Sequence, residues 1–212
     1  MKIYDLTHTV TGDMPVYPGT EPPCLTVVNT CERDGFRETK LAMFSHTGTH
    51  IDSPAHLFAG GKALDAFPAE QFVGRALVVD CRALSEGEPI TMAQLAPYGE
   101  RVHEVDFLLF CLGWDARWGT PDYFGDFPCI DDEVLDVILS GSYKGIGFDV
   151  ISLDPIGSLT RHSKLLATGA LINIENLCNL APLCGKVVQF ACLPLKWQNA
   201  DGAPARAIAF EE

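Results

Sequence analysis

Residues 44 to 58 read Phe-Ser-His-Thr-Gly-Thr-His-Ile-Asp-Ser-Pro-Ala-His-Leu-Phe and hold three of the chain's six histidines and an aspartate: His46, His50, Asp52 and His56. All four positions are even-numbered. Alternate side chains of an extended segment share a face, so the four can point one way. Thr47, Thr49 and Ile51, β-branched and suited to strands, point the other. A helix would also align His46 and His50, at i and i+4, but Gly48 between them, their β-branched neighbours and Pro54 make a poor helix interior. A straight strand would hold the Cα atoms of His46 and His50 about 13 Å apart, near the limit for two imidazoles meeting at one ion. The spacing therefore predicts a bend at Gly48, where no Cβ obstructs the turn or fills the space of an ion.

Imidazole, imidazole and carboxylate form the ligand set of a catalytic zinc, or of manganese or iron with open positions. One such histidine would be an ordinary solvated or hydrogen-bonded side chain; three with an aspartate, in one register around a glycine, predict metal binding. Two later residues can join them. His162 precedes a short helix, and Glu175 follows the apolar run Leu-Ile-Asn-Ile. An ionised glutamate there is badly placed for solvent, and buried carboxylates require a cation or strong donors. A second metal, typically ~3.5–4 Å from the first in two-metal hydrolases, would share Asp52 or Glu175 as a bridge.

The elements that must position these groups are mostly strands. Lys2 to His8 alternates as a short strand. Thr11 to Pro23, rich in proline and glycine, is a loop in which Met14, Val16 and Tyr17 are spaced to cover something: a pocket wall, or simple packing. Leu25 to Thr30 and Phe36 to Phe44 form a hairpin turning at Glu32-Arg-Asp-Gly35, whose second strand runs into the histidine stretch. Gly74 to Cys81, Val105 to Leu112, Tyr143 to Leu153, Ala170 to Ile174 and Gly185 to Leu195 are further strands. Val105 to Leu112, almost unbroken apolar, is buried on both faces. Asn199-Ala-Asp-Gly202 turns the chain into a closing antiparallel strand, Ala205 to Phe210. Helices are short: one begins after Thr91 as N-cap, one spans Glu133 to Leu139 and stops at Gly141, and one spans Ser163 to Thr168. This pattern predicts one α/β domain over residues 1–212, a β-rich mixed sheet with short helices. A doubly wound dinucleotide fold lacks its glycine-rich turn here.

With 212 residues, 47% hydrophobic and 20% charged, the chain can bury a sizeable core. A net charge of −13 argues against nucleic acid or an anionic membrane as partner. The eight cysteines contain no C-x-x-C pair, several lie in apolar runs, and no membrane-length apolar segment or signal-peptide core is present. These features predict free, mostly buried thiols and a cytoplasmic location. No cysteine has neighbours that would activate it as a nucleophile.

The stretch His46-Thr-Gly-Thr-His50-Ile-Asp52-Ser-Pro-Ala-His56 resembles the H-x-G-T-H-x-D-x-P-x-H motif of the metal-dependent "cyclase" family, which includes bacterial kynurenine formamidases (arylformamidases) and isatin hydrolases. Weaker segments follow in the family's order: Asp5-Leu-Thr-His, Met14-Pro-Val-Tyr-Pro-Gly, Leu112-Gly-Trp114, Gly147-Phe-Asp-Val-Ile-Ser-Leu-Asp154, Glu175-Asn-Leu and Asp201-Gly-Ala-Pro-Ala-Arg206. The resemblance implies a swivelling β/β/α domain working as a homodimer or homotetramer. It implies a divalent metal, two zinc ions per chain with manganese as the alternative. His46, His50 and Asp52 would hold one ion; Asp52, His162 and Glu175 would serve the other. His56 would be the proton donor and acceptor, and Tyr17 would face the substrate where the kynurenine formamidases have a tryptophan. The implied reaction is hydrolysis of a carbon–nitrogen bond in a small aryl or cyclic amide, with N-formylkynurenine to kynurenine and formate, a step of tryptophan catabolism, as the reference. An isatin-type lactam, another ester, or mere metal binding are the alternatives. The interval from His162 to Glu175 is one residue longer than in the family. Either a bulge near Asn173 absorbs it or Glu175 is displaced.

Overall fold

Strands that are apolar at every position need cover on both faces, and the sheet supplies it by closing on itself. The computed structural model describes residues 1–211. Its strands are β1 (Lys2–Asp5), β2 (Cys24–Asn29), β3 (Glu38–Ala42), β4 (His50–Asp52), β5 (Val73–Asp80), β6 (Phe107–Cys111), β7 (Gly145–Phe148), β8 (Ile172–Glu175), β9 (Val187–Pro194) and β10 (Gly202–Glu211). The order β1-β10-β4-β8-β7-β6-β5-β9, with β9 also paired to β10, makes a barrel. Neighbours from β5 through β8 run parallel and the other pairs antiparallel, the mixed sheet expected from the sequence.

Alternation along each strand divides the side chains between two layers. Ile51, Ala76, Val78, Phe107, Leu109, Ile172, Ile174, Phe190 and the small residues Ala203, Ala205, Ala207 and Ala209 fill the barrel. Leu77, Val79, Leu108, Phe110, Ile146 and Phe148 point outward, under the helices. The helices are α1 (Cys31–Asp34), α2 (Met92–Leu95), α3 (Asp132–Ser140) and α4 (Thr160–Leu166). Val134, Leu135 and Ile138 of α3 and Leu165 of α4 join the outer layer. The starts of α2 and α3 are set by local chemistry. The hydroxyl of Thr91 and the side chain of Gln94 close a capping box on α2, and the Asp131 carboxylate accepts the Val134 N–H on α3.

Several expected boundaries move. The Glu32–Gly35 turn is a helical turn, α1, capped by Thr30. Strand β3 stops at Ala42, so it does not run into the histidines. Strand β7 covers only Gly145–Phe148, because the chain leaves the sheet beyond it to wrap the site. The ribbon β2–β3 pairs only with itself and exposes Leu25, Val27 and Leu41. All eight cysteines are free, four of them buried and Cys24 and Cys31 exposed. Among the described residues no helix is long and apolar enough to cross a membrane.

Candidate metal centre

Because Ile51 and Ile174 face the barrel interior, their neighbours His50, Asp52, Asn173 and Glu175 must face outward. The β4–β8 pairing sets His50 opposite Glu175 and Asp52 opposite Asn173. Helix α4 covers them from outside and contributes His162, which lies within the helix rather than ahead of it. The single-face expectation holds only for His50 and Asp52. His46 lies in the bend before β4, and His56 ends a 3₁₀ turn, Pro54–His56. The bend is at Gly48, with φ of 64°. A Cβ there would meet Met14 Cε at 3.2 Å, so its missing side chain makes room for Met14 and not for an ion.

Asp52 is the centre of the arrangement. Its Oδ1 lies 2.6 Å from His46 Nδ1 and 3.2 Å from His50 Nε2. Its Oδ2 lies 3.0 Å from His162 Nε2 and accepts from Asn173 Nδ2 at 3.0 Å. Glu175 Oε2 stands 3.5 Å from His50 Nε2, while Oε1 accepts from Asn173 Nδ2 (2.8 Å) and Leu153 N–H (3.1 Å). Donor atoms of His46, His50 and Asp52 lie within 4.8 Å of one another, as do those of Asp52, His162 and Glu175. The structure thus brings together all five residues predicted as ligands. No bulge occurs at Asn173: the registers of β8 against both β4 and β7 are continuous, and Glu175 is not displaced.

These donors are held in place. Gly48 C=O accepts from His50 Nδ1 (2.8 Å) and from Asn176 Nδ2 (2.9 Å), so His50 turns its Nε2 toward Asp52 and Glu175. Asn176 adopts a positive φ of 56° and takes the Tyr123 hydroxyl at its Oδ1. The Asp154 carboxylate accepts the N–H groups of Arg161 and His162, fixing the start of α4. Asp149 accepts N–H groups of Leu112, Gly113 and Trp114. Both aspartates of the Gly147–Asp154 segment therefore shape the backbone around the site.

The charges are far from their ordinary balance. Burial works against the imidazolium of His46, but Asp52 and Asp201 overcome it and raise the pKa to about 9. Burial likewise opposes, and Asp52 outweighs it, at His50 and His162, both raised. Against the cost of burial, His50 and His46 hold Asp52 well below the usual carboxylate range. Burial and then the Asp52 charge push Glu175 up to about 7. His56 goes the other way: burial brings it down to about 4, leaving a neutral imidazole whose ring centroid lies 3.9 Å from that of His46.

The buried Nδ1 of His162 has no hydrogen-bond partner, and its Nε2 meets only the Asp52 carboxylate, at 3.0 Å. Leaving buried polar atoms unpaired is costly, and three imidazoles crowded on two carboxylates require protons or cations to balance them. A divalent cation fits this donor set of nitrogen and carboxylate oxygen. The site opens into a cleft of about 500 Å³ walled by Val16, Tyr17, Phe44 and Leu159. The Tyr17 hydroxyl accepts the Gly157 N–H at 2.8 Å, so Tyr17 both lines the cleft and ties its rim together.

Sequence reasoning passed over Asn173 and Asp201. Asn173 carried a signal, an amide between two isoleucines of a buried strand. Asp201 carried only a turn and its place at the head of the Asp201–Arg206 segment.

Residues 4–155 match the family model described as putative cyclase. The chain is 34% identical over 210 residues to an uncharacterized protein of Methanocaldococcus jannaschii, covering 99% of each. It is 31% identical over 216 residues to the kynurenine formamidase of Salinibacter ruber, covering 98% of this chain and 97% of that one. It superposes on isatin hydrolase A from Labrenzia aggregata, bound to benzyl benzoate, with a TM-score of 0.87 at 24% identity, over 98% and 93% of the two chains. At that identity the likeness speaks for the fold.

Proposed function

Because the chain belongs to the putative cyclase family, we propose that it is a metal-dependent hydrolase of the carbon–nitrogen bond in a small aryl or cyclic amide, of the arylformamidase kind. The observation that carries this reading is the division of Asp52 between two groups, Oδ1 toward His46 and His50 and Oδ2 toward His162. His46, His50 and Asp52 would hold one divalent cation, and Asp52, His162 and Glu175 a second; zinc suits these donors, and manganese is the alternative. Such a cation, when bound, lowers the pKa of water toward ~7 and polarises a carbonyl.

The protein's own residues supply the rest. His56 lies beside His46 and His162, at ring-centroid distances of 3.9 and 5.6 Å, and enters the reaction neutral. Its imidazole takes the proton of the attacking water and returns it to the departing amine nitrogen, so that one group serves as base and then as acid. Asn173 donates to one oxygen of Asp52 and one of Glu175, holding the two mutually repelling carboxylates side by side. Tyr17, Val16 and Phe44 give an aryl ring an apolar wall and exclude water from it. The exposed apolar ribbon β2–β3 supports assembly as a homodimer or homotetramer, since an isolated two-stranded hairpin is marginal in water.

Assay of metal-loaded protein on N-formylkynurenine and on isatin tests the reading. Formate or ring-opened product is expected from at least one, and the favoured compound sorts the formamidase from the lactamase form. Inactivity on every aryl amide, lactam and ester offered would leave a metal-binding protein without this activity.

A further inference from the structure

Asp201 lies outside both proposed ligand groups yet touches one of them. Its Oδ2 stands 3.1 Å from His46 Nε2 and accepts the Ser45 hydroxyl at 3.0 Å. Its backbone carbonyl accepts the N–H and the hydroxyl of Ser53 at 3.0 and 2.8 Å, which anchors the turn to the strand end that carries Asp52. The next residue completes the seat. A Cβ on Gly202 would stand 2.3 Å from His46 Cε1, so the imidazole rests directly on the β10 backbone.

We propose that Asp201 is a positioning residue: its carboxylate holds the Nε2–H of His46, so that Nδ1 is presented to the cation shared with His50 and Asp52. The inference rests on the metal-site reading above. A ligating histidine ordinarily donates its other ring N–H to a carboxylate or carbonyl, which fixes tautomer and orientation. For His50 the Gly48 carbonyl does this at Nδ1. For His46 the Nε2 partner is Asp201. His162 has no such partner on Nδ1. Asp201 therefore acts on one of the two groups, because Asp52, His162 and Glu175 make no hydrogen bond to it.

This one-sidedness is measurable. Chelator-stripped wild type, D201A and D201N are titrated with cobalt(II), followed by calorimetry and by the visible absorption of the bound ion. Wild type is expected to take two equivalents. In D201A one of them weakens about 10- to 100-fold and its absorption shifts, while the other keeps its wild-type affinity. D201N retains a side-chain oxygen for the Nε2–H and recovers most of the loss. Two wild-type affinities in D201A, equal weakening of both equivalents, or failure of D201N to recover would overturn the proposal and leave the metal-site reading standing. Failure of the wild type itself to bind cobalt would remove both.

Discussion

His50 and Glu175 are register partners across the β4–β8 pair, and the Nε2 of one stands 3.5 Å from the Oε2 of the other. A histidine from the early motif and a carboxylate more than a hundred residues later are thus fixed by one rung of a sheet. Rigid strands position donors better than loops do. Of the five proposed ligands, three sit on these two strands, one on α4, and only His46 lies on irregular backbone.

That division predicts different consequences for two nearby histidines. His50→Ala removes a donor and is expected to lose both metal and activity. His56→Ala is expected to keep its metal and lose turnover by about 10²- to 10⁴-fold, the usual worth of a general acid–base group. Metal content of purified His56→Ala decides: loss of metal there would make His56 a ligand.

The metal-free protein should weaken as the solution becomes more alkaline. Folding raises His46 from 6.5 to about 9. Its contribution to stability is therefore fully present below 6.5 and is lost as pH rises through about 9. Melting of chelated protein across this window is expected to show that decline. Metal uptake must displace the same proton, so affinity rises with pH over the window and protons are released on loading. Titration in buffers of different ionisation enthalpy measures the release.

Gly202→Ala should disturb His46 while leaving every donor residue in the chain. The added methyl would overlap the imidazole, and relief by shifting either group costs about 1–3 kcal/mol. Denaturant unfolding reads the stability loss, and a cation titration reads the weaker uptake.

Tyr17→Phe removes the hydrogen bond to the Gly157 N–H, worth about 0.5–1.5 kcal/mol, and loosens the cleft rim. KM for an aryl amide is expected to rise several-fold with kcat nearly unchanged. A fall in kcat alone would place the Tyr17 hydroxyl in the chemistry instead.

The sequence was most legible where one physical rule dominated. Unbroken apolar runs such as Phe107–Cys111 marked strands covered on both faces, and Thr91 and Gly141 marked helix ends because capping is local. The donor cluster was legible because His46, His50 and Asp52 are close in the chain. The shape of the stretch was less so: alternation suggested one extended face, but Gly48 at positive φ and the Pro54 turn carry His46 and His56 out of it. Barrel closure through the β9–β10 and β5–β9 pairs depends on long-range pairing that no short segment encodes. The contact of Asp201 with the histidines was hidden for the same reason, since its partners Ser45 and His46 are reached only when β10 lies beside β4.

Hydrolysis is expected to depend on a cation held around Asp52. Formate release from N-formylkynurenine, or ring opening of isatin if that is the favoured compound, is measured on protein as purified, after chelation and dialysis, and after return of zinc or manganese. The expected results are activity, its loss, and its recovery in proportion to the ions bound per chain. Full activity in protein shown by elemental analysis to be stripped of metal would rule out a cation-dependent reaction.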